Sequence, residues 1–171
     1  FPAGIASTVK QIWTYDGPVE EAFCPQSVTL VLEDDIDISR GSMIVGTEQL
    51  PGSSTELQAE VCWMHQRPLQ PMKKYLLKHT THQVQAIVTG IVSRLNMSTL
   101  EREANPAELT VNDIGEIRFR VAKPLVFDGY GTNRLTGSFI LIEPGTNATV
   151  AAGMLHAPRD CVRAENGDYV I

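Results

Sequence analysis

The chain has 171 residues, 43% of them hydrophobic, with a net charge of −6 and a pI near 5.2. This length and apolar content suffice for one ordinary domain or two small ones and exclude wholesale disorder. The acidic balance, with no basic stripe, argues against a phosphate-backbone footprint, and no apolar run approaches the roughly 18–20 residues of a membrane helix.

In chain order, the first strands are expected near Lys10–Thr14 and Val28–Leu32, with the turn signal Asp16-Gly17-Pro18 after the first. Short helical turns are expected at Glu20–Phe23 and Asp35–Arg40. Between Gly46 and Thr55, Pro51, Gly52 and two serines read as a linker. Next, Leu57, Ala59, Val61 and Trp63 alternate with Glu56, Gln58, Glu60 and Cys62. A strand turns successive side chains to opposite faces, so this alternation predicts a sheet with one wet face. A hairpin is expected between Leu76-Leu77 and Val84-Gln85-Ala86. Ser98 and Glu101 have the spacing of a capping box, but Pro106 allows at most a short turn there. Ile117, Phe119 and Val121 repeat the period of two against Glu116, Arg118 and Arg120. Asp128-Gly129-Tyr130-Gly131 and Pro144-Gly145 mark later turns. Many short strands between such turns predict an all-β sandwich or barrel.

Few residues offer chemistry. His79 and His82 invite a metal reading, but on one strand they would face opposite sides and no Cys or carboxylate adjoins them; a structural role in the hairpin is the better expectation. Glu33, Asp34, Asp35 and Asp37 lack the ligand spacing and glycine of a calcium loop. Asp37 is expected to fix a turn, with Arg40 as an ion partner. Gly131–Ser138 lacks the lysine and spacing of a phosphate loop, and Asp128–Gly131 matches the D-x-x-G of GTPases by letters only. Cys24, Cys62 and Cys161 are odd in number and widely spaced, which fits reduced thiols of a cytoplasmic protein. Cys62 reads as inert packing beside Trp63. Arg118 and Arg120 share a strand face that could meet an acidic partner or simply be solvated. Neither a catalytic residue nor a metal or cofactor site is expected in this chain.

Longer stretches carry a resemblance. Val28–Asp34 followed by Asp35-Ile36-Asp37-Ile38-Ser39-Arg40-Gly41 resembles the second domain of the large GTP-hydrolysing subunit of bacterial sulfate adenylyltransferase. The Ile-x-Arg-Gly element is also similar to that of elongation factor Tu and its relatives. Tyr75–His79, Leu95–Glu101 and Asn112–Gly115 resemble successive parts of the third domain. The closing block is the most specific: Asn133–Ile142, with Thr136 and Gly137, then Thr146–Met154, with Asn147 and Gly153. The resemblance covers roughly residues 7–155.

It implies an incomplete translation-factor-type β-barrel over residues 1–46, a linker at 47–55, an elongation-factor-Tu-like Greek-key barrel over 56–158 and a tail at 159–171. Asp37, Ser39, Arg40, Gly41, Thr136, Gly137, Asn147 and Gly153 become structural motif residues. Gly41 is expected at positive φ or a close approach, and Arg40 beside a carboxylate or carbonyl. In the family, GTP and magnesium bind a separate GTPase domain, and the subunit works in the cytoplasm with a catalytic small subunit that makes adenosine 5′-phosphosulfate from ATP and sulfate. The implied role here is non-catalytic: supporting the GTPase domain and coupling it to the small subunit, without nucleic acid or membrane. The tail from His156 shows no phosphate loop, so a fused kinase is neither supported nor excluded. A fragment of a translational GTPase and a free-standing β-barrel interaction module remain alternatives.

Overall fold

The structure, a computed structural model, describes residues 1–48 and 50–157. The chain divides into two compact units: Ala3–Ser39, and Phe1–Pro2 with Arg40 onward. All regular structure among the described residues is β.

The smaller unit is a three-stranded antiparallel sheet of β1 (Val9–Thr14), β2 (Gly17–Val19) and β3 (Thr29–Leu32), ordered β2-β1-β3. Ile12 lies opposite both Val19 and Leu30, so one face collects the apolar residues. A sheet of three short strands cannot close, and no described side chain in this unit is fully buried. Its acidic cluster is occupied locally: Lys10 Nζ stands 3.7 Å from Glu33, and the Ser7 hydroxyl donates to Asp34 at 2.7 Å.

The larger unit contains β4 (Gly52–Trp63), β5 (Lys74–His79), β6 (His82–Leu95), β7 (Arg102–Ala104), β8 (Ile114–Phe127), β9 (Ser138–Ile142) and β10 (Thr149–Leu155). Their order is β5-β9-β10-β4-β8-β6-β7, and β5 also pairs with β6. Six strands therefore close into an antiparallel barrel, with β7 attached outside along the end of β6. Closure removes the open edges that would otherwise template other strands. The alternation seen in the sequence points inward as expected: Leu57, Ala59, Val61 and Trp63 on β4 and Ile117, Phe119 and Val121 on β8 are buried. The long strands bend at irregularities between Val88 and Gly90 and between Ile91 and Ser93, which is how a bulge re-aims a strand around a barrel. Leu69 and Leu109, both fully buried, bridge two loops over the core.

Three local expectations need correction. The 47–55 segment is strand from Gly52 on, pairing with Phe127, Val126 and Leu125; this cross-strand pairing overrides the weak strand preference of Gly52, Ser53 and Ser54. Glu20–Phe23 and Asp35–Arg40 are irregular and form no helical turn. At 98–101 the short turn expected before Pro106 does form, at the tip of the β6–β7 hairpin, where Leu100 N donates to the Asn96 carbonyl at 2.7 Å. There Asn96 Oδ1 accepts from the amides of Ser98 and Thr99, and the Thr99 hydroxyl accepts from Glu101 N, so Asn96, not Ser98, caps the turn.

Candidate functional site

The buried polar centre of the larger unit is His79. It sits at the end of β5, directly opposite His82 at the start of β6, across the turn Thr80-Thr81. The two histidines thus belong to paired strands and share a face, which corrects the single-strand geometry expected from their spacing. Only 1% of His79 is exposed. Its Nε2 lies 2.7 Å from the Thr136 carbonyl oxygen. A carbonyl only accepts, so Nε2 carries the proton and the neutral ring is the Nε2–H tautomer. Burial is the main cause that lowers the His79 pKa below the ordinary 6.5, while the Thr136 carbonyl and the more remote Asp128 pull the other way and His82 adds to the lowering.

Thr136 in turn donates its hydroxyl to Asp128 Oδ2 at 2.5 Å. Gly137 follows, its backbone pressed against Tyr130: a Cβ there would stand 2.4 Å from Tyr130 Cα. Leu155 N donates to the Gly137 carbonyl at 2.7 Å, tying the loop to the end of β10. The Arg134 guanidinium stacks 6.0 Å from the centre of the Tyr130 ring. The segment 131–138, faintly like a phosphate loop in sequence, is thus a turn-rich loop folded back on its own barrel.

Arg40 and Gly41 approach the same turn. Arg40 Nε donates to the Thr81 carbonyl at 3.3 Å, meeting a carbonyl and not a carboxylate. Gly41 has φ of +99°, and a Cβ there would meet the His82 ring at 3.1 Å; both the backbone conformation and the close approach favour glycine. Gly41, Met43, His79, His82, Pro124 and Thr136 border a cavity of about 270 Å³. The structure therefore brings Arg40, Gly41, Thr136 and Gly137 together around the His79–His82 turn. Asn147 and Gly153 serve β9 and β10 instead. Asn147, at φ +57°, closes the β9–β10 hairpin by donating to the Glu143 carbonyl at 2.9 Å. Gly153 lies opposite Phe139 and beneath its ring. Asp37 and Ser39 are exposed residues of the smaller unit.

Chemically, this arrangement orders backbone. His79 has its proton committed to a carbonyl, and no nucleophile is paired with it. Among the described residues no group of three or more His, Cys, Asp or Glu is placed to hold a metal ion. Cys24 is exposed and Cys62 half-buried, both free; Cys161 lies outside the described residues. No helix among those residues is long and apolar enough to cross a membrane. Sequence reasoning missed the anchor role of His79 and the part played by Asp128, because their partner Thr136 lies 57 residues from His79 and no local pattern signals the contact.

The buried histidine makes stability pH-dependent. Its folded pKa is depressed, so the unfolded chain binds the proton more readily. Its neutral form favours folding fully above about pH 6.5, and that contribution is lost as pH falls through the folded-state value. The urea midpoint is expected to drop from pH 7.5 to 5, and to drop less in His79→Gln, which keeps a donor for Thr136 but cannot titrate. Equal slopes in the two proteins would contradict this.

The larger unit is a closed antiparallel six-stranded barrel with glycine-dependent turns, a fold it shares with translation-factor β-barrel domains. The family profile described as GTP-eEF1A C-terminal domain-like matches residues 56–156, and the chain belongs to that family. It is 45% identical over 154 residues to the sulfate adenylyltransferase subunit 1 of Alteromonas mediterranea, covering 90% of this chain and 32% of that protein. It is 45% identical over 155 residues to the bifunctional enzyme CysN/CysC of Mycobacterium tuberculosis, covering 90% of this chain and 25% of that one. The chain thus spans about a third or less of these relatives. Its fold is similar to that of Sup35 in complex with GMPPNP, with a TM-score of 0.82 at 16% identity over 94% of this chain and 39% of that chain.

Proposed function

We propose that the chain is the non-catalytic β-barrel part of the GTP-hydrolysing subunit of sulfate adenylyltransferase, the cytoplasmic enzyme that makes adenosine 5′-phosphosulfate from ATP and sulfate. The observation that carries this is the 45% identity to a sulfate adenylyltransferase subunit 1 across 90% of the chain. Residues 1–46 are read as part of the second barrel, 56–158 as the third, and 159–171 as a tail. GTP and magnesium bind in the GTPase domain of the parent subunit. The barrels support that domain and couple its state to the catalytic small subunit. Asp37, Ser39, Arg40, Gly41, Thr136, Gly137, Asn147 and Gly153 act structurally, by fixing turns and close approaches. The sequence has no G-x-x-x-x-G-K-[ST] loop to cradle phosphates, which agrees with this division of labour.

The test is reconstitution. A parent subunit stripped of this region should still hydrolyse GTP, while the hydrolysis no longer raises the yield of adenosine 5′-phosphosulfate from the small subunit. Adding this chain should restore part of the coupling. Alone, the chain should show no heat of GTP binding in calorimetry. Micromolar GTP binding at one site, or full coupling without the barrels, would sink the reading.

A further inference from the structure

The geometry points to a docking recess for an acidic polypeptide segment on the outer face of the β4–β8–β6 sheet, centred on Arg118 and floored by Gly90. Gln58 on β4 and Gly90 on β6 lie directly opposite Arg118 on β8, one on each side. Directly opposed residues of antiparallel strands project to the same face, so the three form one row across the sheet.

The neighbouring rows are filled and neutralised. On one side, Arg120 pairs with Glu56, with Ile87 opposite Arg120 on β6. On the other, Glu116 accepts from Gln58 and lies 3.3 Å from His156, while Glu60 pairs with Arg102 at 2.9 Å. Arg118 is different. Arg40, Arg67, Arg94, Arg102, Arg120 and Arg134 each have a carbonyl, carboxylate or ring partner; Arg118 alone among the described arginines has none. In a chain of net charge −6, the carboxylates of the two adjoining rows, Glu56, Glu60 and Glu116, already have partners.

Gly90 supplies the second, independent observation. A Cβ at this position would meet nothing within 4 Å, and its φ lies outside the left-handed region. Neither packing nor backbone conformation calls for glycine, although glycine inside a strand costs backbone entropy. The bulge beside it at Thr89 does not need glycine without a positive φ. What a bare strand position does allow is close approach of another backbone. Beside Gly90 runs a groove of about 620 Å³ whose lining includes Ser53, Thr89, Arg118, His156 and the Glu56–Arg120 pair. It is open and three strands wide, which suits an extended segment better than an enclosed small molecule. A partner carboxylate would take the planar donor fork of Arg118, and the partner main chain would lie over Gly90.

The test titrates the ¹⁵N-labelled full chain with an alternating Gly-Glu decapeptide. The expected result is a saturable shift of the Gly90 and Thr89 amides and of Arg118 Nε, with affinity falling about tenfold between roughly 50 and 300 mM NaCl. Arg118→Gln should weaken binding at least about tenfold, with Arg118→Lys in between and Arg134→Gln unchanged. Gly90→Tyr leaves every charge in place and should also lose binding. Sodium sulfate at matched ionic strength should shift Arg118 Nε without the Gly90 amide. The proposal is overturned if no saturable shift occurs, if Arg118→Gln or Gly90→Tyr binds like the parent, or if sulfate reproduces the whole pattern.

Discussion

Trp63→Ala is expected to remove about 4 kcal/mol of stability, in the range found for truncating large buried aromatics. The side chain ends β4 inside the barrel and is 1% exposed. Its ring packs edge-on against Tyr75, with centroids 5.8 Å apart, and its indole N–H donates to the Arg67 carbonyl at 2.9 Å. Truncation would therefore open a cavity, lose an aromatic pair and strand a carbonyl. Tyr75 is held in the same environment, where burial first and Glu143 second push its phenol up to about 12. Against a typical domain stability of about 5–15 kcal/mol, this loss is a large fraction. Trp63→Phe should cost less than half as much, because it keeps most of the packing. Urea unfolding of the two variants checks the ranking, and a Trp63→Ala loss under about 1 kcal/mol would contradict the packing argument.

Much of this core could be read from the sequence because barrel strands obey a simple period. Leu57 to Trp63 and Ile117 to Val121 alternate cleanly, and their inward side chains are the buried ones. The hairpin around Thr80-Thr81 was also legible. Its facing was not: His79 and His82 are three apart in sequence, yet strand reversal puts them side by side. Contacts over long separations leave no local trace, as with His79 and Thr136 or Arg40 and Thr81. Turn geometry was legible in part. Asn105, Asn112 and Asn147 occupy positive φ, as their short polar side chains allow. Met72 and Leu100 do so too, at φ of 68° and 60°, and no propensity argument selects them. The eight motif residues also divided. Arg40, Gly41, Thr136 and Gly137 meet around one turn, while Asn147 and Gly153 shape a separate hairpin pair; the sequence block that joins Thr136 to Gly153 does not distinguish these tasks.

Gly137→Ala and Gly153→Ala should both destabilise the barrel, for different reasons that a second mutation separates. Neither glycine has a left-handed φ, so the cost is steric in each case. At Gly137 the new methyl would stand 2.4 Å from Tyr130 Cα, 2.6 Å from Tyr130 N and 2.7 Å from the Asn133 carbonyl oxygen. All three are backbone atoms, and the Leu155 bond to the Gly137 carbonyl limits any retreat. The expected loss is about 3 kcal/mol, the upper part of the range for overpacking. At Gly153 the clash is with ring atoms of Phe139, the nearest at 2.3 Å. That ring is 4% exposed and lies 5.3 Å from the Phe119 ring centre, so it can shift only by disturbing its neighbour, and about 2 kcal/mol is expected. Phe139→Leu frees space above Gly153, so the double variant with Gly153→Ala should be more stable than the sum of the two single losses predicts, by about 1 kcal/mol. Tyr130→Ala removes a side chain but leaves its Cα and N in place, so it should give Gly137→Ala no such relief. Chemical unfolding of the seven proteins, parent and both double variants included, decides the matter. Rescue of Gly137→Ala by Tyr130→Ala would show that the contact is with a side chain, and strict additivity at Gly153 and Phe139 would show that the ring never met the methyl.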